Sequence, residues 1–239
     1  LTHRVESLLF VALCLLLVWA PLPFGSNRPW ALALLTFGLA LSLSLWLCLF
    51  LCGGVSLSRR VWHRAKWPLA ILLTVSVWVF LQTIHLPQSL VGMLSPRAAD
   101  LHTAEGSVPI SLDLAATRVY FLQSLACFAA FFLTLALVNC EKRARIFLLI
   151  LVCSGVFQAV YGALMVLTGV EWGFFVEKYV GKGVATGTFV NRNHLAGYLV
   201  MALSIGTGLL ISQLSSSSIG SWREFARRSL KLMLSPKIF

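Results

Sequence analysis

The sequence predicts an all-α fold, a polytopic transmembrane helical bundle of about six spans with both ends in the cytoplasm. Three observations carry this. Of 239 residues, 59% are hydrophobic and 11% charged, whereas a soluble domain holds roughly 45–50% apolar and about 25% charged residues. So much apolar surface is stable only against lipid. The apolar runs approach the ~20 residues of helix that cross a hydrocarbon core, without the short alternating segments of a β-barrel. Finally, the basic residues segregate to one side of the spans.

Taken in order, the predicted spans are Val5–Pro23, Trp30–Cys52, Trp67–Ile84, Tyr120–Val138, Ile146–Val170 and Leu195–Leu214, which together make residues 1–214 a transmembrane region. Runs such as Leu32–Leu51 must be helical, because lipid offers no partner to an open strand's backbone groups. The first run also resembles a signal peptide, with Arg4, an apolar stretch and Val18-Trp19-Ala20 as a cleavage-like end. Pro21 directly after Ala20 hinders a peptidase and the polar gap to the next run is short, so the reading is a retained span. Residues 215–239 read as a basic cytoplasmic tail or the approach to a further span.

Thirteen of the nineteen Lys and Arg fall on one side: Arg4, the cluster Arg59 to Lys66, the cluster Lys142 to Arg145, and the tail. On the other side Arg28, Arg97, Arg118, Lys178, Lys182 and Arg192 face five carboxylates. Basic loops stay in the cytoplasm, which sets the orientation. The net charge of +11 is therefore a topology signal, with anionic headgroups as a secondary partner, and it gives no reason to expect nucleic acid. None of the six cysteines lies in an external loop, so no disulfide framework is expected. No metal-ligating cluster or cofactor motif appears either, and the expected cofactor set is empty.

Three external loops remain. Leu22–Pro29 carries the residues of a tight reversal. In His85–Arg118, Leu86, Leu90, Met93 and Leu94 recur at helical spacing, so part of this loop is expected along the membrane surface. Gly169–Asn193 mixes Trp172, Phe174, Phe175 and Tyr179, read as interface anchors, with a glycine-rich stretch Gly181–Thr188 read as a flexible loop. In the last span, Ala202 with Gly206 and Ser204 with Gly208 are spaced for close helix contact.

The densest polar cluster is Asn191-Arg192-Asn193-His194, at the external end of the sixth span. Asn193 is suited to cap that helix, and its free N–H groups together with Arg192 form a candidate anion pocket. The plainer alternative is a capped helix whose Arg and His face headgroups. Gly197 and Tyr198 share the His194 face.

The stretch Gly187-Thr188-Phe189-Val190-Asn191-Arg192-Asn193-His194-Leu195-Ala196-Gly197-Tyr198-Leu199 resembles a signature of the O-antigen ligase and O-antigen polymerase-like family. Two weaker stretches, Pro21 to Trp30 and Ser111 to Arg118, resemble relatives of the same group in the same order. The resemblance implies a bacterial inner-membrane glycosyltransferase of lipopolysaccharide or polysaccharide biosynthesis. Such an enzyme moves glycan from undecaprenyl-pyrophosphate to an acceptor hydroxyl at the periplasmic face, on lipid A-core or another glycan. Donor phosphate or glycan contacts would fall to Arg192, Asn191, Asn193 and His194, with Arg28, Arg118 and Lys182 as weaker electrostatic candidates. Family members are about twice as long, with roughly twelve spans. The arginine and histidine usually assigned to catalysis lie in a large later loop, so no catalytic residue is assigned here. The expectation is an N-terminal portion that is incomplete as a catalyst. A non-catalytic membrane protein that binds lipid-linked glycan or partner helices, or a truncated remnant, is the second reading. Transport is disfavoured, because the larger polar residues within spans, Gln82, Gln123 and Gln158, are not ionisable.

Overall fold

The computed structural model describes residues 2–102, 106–173, 176–178, 181–214 and 227. Eight α-helices run through them: α1 (Thr2–Trp19), α2 (Pro29–Leu51), α3 (Arg59–Leu81), α4 (Gln88–Leu94), α5 (Pro96–Leu101), α6 (Leu114–Leu137), α7 (Glu141–Thr168) and α8 (Arg192–Leu214). Two small two-stranded antiparallel sheets interrupt them, β1 (Leu86–Pro87) with β2 (Ser107–Val108), and β3 (Trp172–Gly173) with β4 (Val176–Glu177). The basic tail expected over 215–239, Arg227 excepted, lies outside the described residues, as do Phe174, Phe175 and Tyr179.

Five helices, α2, α3, α6, α7 and α8, are long and apolar enough to cross a membrane. Their outward faces carry large apolar side chains, among them Phe37, Ile71, Leu122, Val160 and Leu203. A water-facing helix would show charge there, so these surfaces fit a hydrocarbon solvent. The helix α1 ends at Trp19, short of the expected Pro23, and its first turns hold His3, Arg4 and Glu6. Several other helices begin earlier than their apolar runs, α3 at Arg59 and α7 at Glu141. Long basic side chains let a helix continue past the hydrocarbon edge while their charges reach water, so counting apolar residues understates helix length.

The chain folds as two compact units, Leu1–Leu16 with Arg28–Asn139, and Leu17–Asn27 with Cys140–Phe239. In the first unit α2 and α3 both pack on α6. Trp46 meets Phe132 edge-on at 5.1 Å, and Phe80 meets Phe121 at 5.2 Å, within the range where ring edges and faces attract. Gly38 lets Leu16 lie directly on α2. The loop between α3 and α6 holds a small core of Val91, Ala98 and Val108, with Leu86, Ala99 and Ile110 packed around it.

In the second unit α7 packs on α8. Gly155 stands so close to Ala202 that an added Cβ would collide with the alanine methyl, and Gly206 faces Val152. The expected small-residue contact therefore forms through Ala202 and Gly206. Ser204 instead bonds its own helix at the Val200 carbonyl, and Gly208 has open space around it.

Candidate functional site

The site lies in the second unit, at the start of α8. The four residues Asn191, Arg192, Asn193 and His194 are all exposed and stand in succession at the helix N-terminus. Asn191, and not Asn193, caps the helix: its Oδ1 accepts the Asn193 N–H at 2.8 Å. The Asn191 carbonyl accepts from His194 N at 3.1 Å and Leu195 N at 3.2 Å. The cap thus stands before the residue the sequence suggested. A capping side chain must sit outside the helix and reach the N–H two or three residues on, and the helix begins at Arg192. Asn193, freed from that role, presents its amide outward next to Arg192.

The segment before the cap is held firmly, contrary to the expectation of a flexible glycine-rich loop. Thr186 and Thr188 are buried, and Gln158 on α7 is completely buried beneath them. Gln158 Oε1 accepts the Thr188 N–H at 3.0 Å, while its Nε2 donates to Thr188 Oγ1 at 2.7 Å. Thr188 Oγ1 in turn donates to the Pro21 carbonyl at 2.6 Å. Gly187 adopts φ +56°, and a Cβ there would lie 2.6 Å from Gln158 Oε1. Only glycine allows the backbone this turn and this approach. The Gln158 amide and the Thr188 hydroxyl are thereby satisfied, which a low-dielectric interior requires.

The turn after α1 completes the arrangement. Phe24, Gly25 and Ser26 have φ of 57°, 63° and 55°, three successive left-handed residues. Non-glycine residues in that region cost of order 1 kcal/mol or more each, so surrounding structure must enforce it. Ser26 Oγ donates to the Ala20 carbonyl at 2.9 Å, and Gly25 N donates to Pro21 O at 3.1 Å. The Phe189 ring covers Gly25, and the Phe24 ring covers Gly173. The first part of the stretch Pro21–Trp30 and the stretch Gly187–Leu199, both singled out in the sequence, therefore meet through Pro21 and Thr188 and through Gly25 and Phe189. Further into the bundle, Tyr198 and Ser154 hydroxyls bond across α7 and α8 at 2.8 Å. Tyr198 thus faces α7, while His194 remains open to solvent.

The hairpin β3–β4 borders an open cleft of about 250 Å³, lined by Gly169, Val170, Glu171, Trp172, Glu177 and Lys182. Lys182, a weaker electrostatic candidate from the sequence, is exposed here and pairs with Glu177 at 3.4 Å. A second pair, Lys178 with Glu171 at 3.5 Å, is nearly buried. Lys178 also donates to the Val184 carbonyl at 2.7 Å, and Glu171 accepts from Gly183 N. This pair ties the glycine-rich segment to the end of α7, and nothing in the local sequence announced it. The remaining candidates, Arg28 before α2 and Arg118 near the start of α6, belong to the first unit and are exposed. Beside Arg118, Asp113 caps α6 through Ala116 N at 2.9 Å, and Ser111 bonds Thr117 at 2.7 Å. The stretch 111–118 is thus a helix start built from its own side chains.

Among the described residues no group of three or more His, Cys, Asp or Glu is placed to hold a metal ion. Chemically, the start of α8 offers a guanidinium, side-chain amide N–H groups and the positive end of a helix dipole in one exposed place, a combination suited to an anion or a hydroxyl-rich ligand. Comparison with family models, with curated proteins and with solved structures finds no match for this chain.

Proposed function

We propose that this chain is the N-terminal portion of an O-antigen ligase or polymerase-like membrane glycosyltransferase in a bacterial inner membrane. Its donor is a glycan on undecaprenyl-pyrophosphate, and its acceptor is a hydroxyl of lipid A-core or of another glycan, at the periplasmic face. In this reading α1 also crosses, giving six spans with both ends cytoplasmic. The segregation of basic residues supports that orientation.

One observation supports the reading: within the thirteen-residue stretch a buried brace at Thr188 stands three residues before an exposed polar display. Thr188 is locked to Gln158 and Pro21, while Asn191, Arg192, Asn193 and His194 stand exposed on the helix start. A pyrophosphate departs readily once its charge is held, so a guanidinium beside the positive end of a helix dipole lowers the barrier to transfer. Asn191 keeps its side-chain oxygen on the cap, so Asn193 and Arg192 are the primary donors to phosphate or sugar oxygens. His194 orients or deprotonates the acceptor.

The test replaces Arg192 with Ala in the complete protein and follows consumption of lipid-linked glycan in membrane vesicles. Loss of a preorganised charged donor is expected to slow turnover by about 10²-fold, with Arg192→Lys retaining part of the activity. Undiminished turnover in Arg192→Ala removes this residue from the donor site.

A further inference from the structure

We propose that α4 is an interfacial element, with Leu90, Met93 and Leu94 embedded at the boundary between headgroups and acyl chains of the leaflet that α3 and α6 reach together. It is enough for this that the two helices cross a bilayer, whatever the catalytic role of the chain.

The length of α3 sets the depth. Its apolar part after Lys66 is Trp67–Leu81, about 22 Å at 1.5 Å per residue. A hydrocarbon core is about 30 Å thick. With Arg64 and Lys66 at the opposite headgroups, Leu81 still lies within or at the edge of the acyl region, and the connection to β1 starts at that depth. This connection is short: β1 begins at Leu86, and Ser111 N donates to the Gln82 carbonyl at 3.0 Å. That bond clasps the returning chain to the end of α3 just before α6 starts at Leu114. The small core of Val91, Ala98 and Val108 is thus tethered to the ends of two spans, without a linker long enough to carry it away from the surface.

The side chains then select the partner. Val91 is fully buried in that core, whereas Leu90 is 45%, Leu94 60% and Met93 82% exposed. Residues 90, 93 and 94 share one helix face by their spacing, and Val91 lies to its inner side. Leu81 at the end of α3 and Leu112 before α6 are exposed as well, so both strands of the chain that lead into and out of this loop carry apolar surface where they leave the spans. Arg97 and Asp100 on α5 are exposed and charged, as the water side of an interfacial element requires. A protein partner would be an alternative occupant for an isolated patch. The short apolar length of α3 and the clasp of Ser111 on Gln82, which hold this loop at the depth where the spans end, favour the bilayer.

The experiment incorporates a photoreactive residue into the full chain, as Met93→p-benzoylphenylalanine and Leu94→p-benzoylphenylalanine, with Asp100→p-benzoylphenylalanine as the comparison. Each variant is reconstituted in vesicles of phosphatidylethanolamine and phosphatidylglycerol, illuminated and analysed by mass spectrometry. Phospholipid adducts at positions 93 and 94 are expected in several-fold excess over position 100. Equal yields at all three positions, or adducts to protein in place of lipid, would overturn the proposal. A second variant guards against a merely sticky probe: Leu94→Asp leaves the Val91 core in place and should lower the adduct yield at position 93 several-fold. An unchanged yield there likewise counts against an embedded α4.

Discussion

Gln158 and Thr188, thirty residues apart, bond each other twice. The Gln158 amide both accepts the Thr188 N–H and donates to the Thr188 hydroxyl, with no water-exposed surface on either residue. This pair couples the middle of α7 to the segment that launches α8, and through Pro21 to the turn after α1. The exposed Asn191–His194 display owes its position to it.

Gln158→Leu should therefore destabilise the second unit by about 1–3 kcal/mol, the cost of leaving a buried donor without its acceptor. Thermal unfolding in detergent micelles measures this. A double-mutant cycle with Thr188→Val should return a coupling of about 0.5 kcal/mol or more. Additive losses would mean that the two residues act separately.

The glycines of the same segment separate strain from collision. Gly183 has φ +78° with open space around it, so Gly183→Ala carries backbone strain alone, about 1 kcal/mol. Gly187→Ala adds the approach to Gln158 Oε1 and should cost clearly more. The two unfolding midpoints compared side by side test this ordering, and a reversed order would contradict the buried path of the chain at Gly187.

At the interface of α7 and α8, Gly155→Ala places a methyl onto Ala202. Overpacking of this kind costs about 1–3 kcal/mol. Ala202→Gly in the same chain should restore most of the loss, because it returns the missing space. The readout is the thermal midpoint of the single and double variants.

Asn191→Ala should lose the cap of α8, about 1 kcal/mol, and speed hydrogen exchange at the Asn193 amide. Asn193→Ala should leave that amide's protection nearly unchanged, because the bond that protects it comes from the Asn191 side chain. Equal effects from both substitutions would place the helix start beyond Arg192.

Part of this was legible along the chain. Apolar run length marked six spans, and five of them correspond to helices long and apolar enough to cross a membrane, because lipid admits hardly anything else. The spacing of Ala202 and Gly206 announced a close helix contact, and Gly155 proved to be the partner across it. The cap belongs to Asn191 although the sequence pointed to Asn193, because the two side chains are chemically identical and only the backbone path distinguishes them. Gln158 was visible as a polar residue within a span, but its partner was not. Thr188 lies in a glycine-rich stretch whose composition alone indicates freedom.

Taken by itself, the sequence determined that this chain lives in a bilayer, where the apolar parts of its long helices lie, and how its basic charge is distributed along the chain. These follow from local composition and from the solvent, each readable within one window of the chain. Tertiary structure decided which polar groups are buried and which are displayed. Bonds such as Gln158–Thr188–Pro21 join residues up to 167 positions apart, and whether they form depends on how α7 and α8 pack and on three left-handed residues in the turn after α1. No periodicity encodes that register. It is set by the requirement that every polar atom entering the low-dielectric interior meet a partner there.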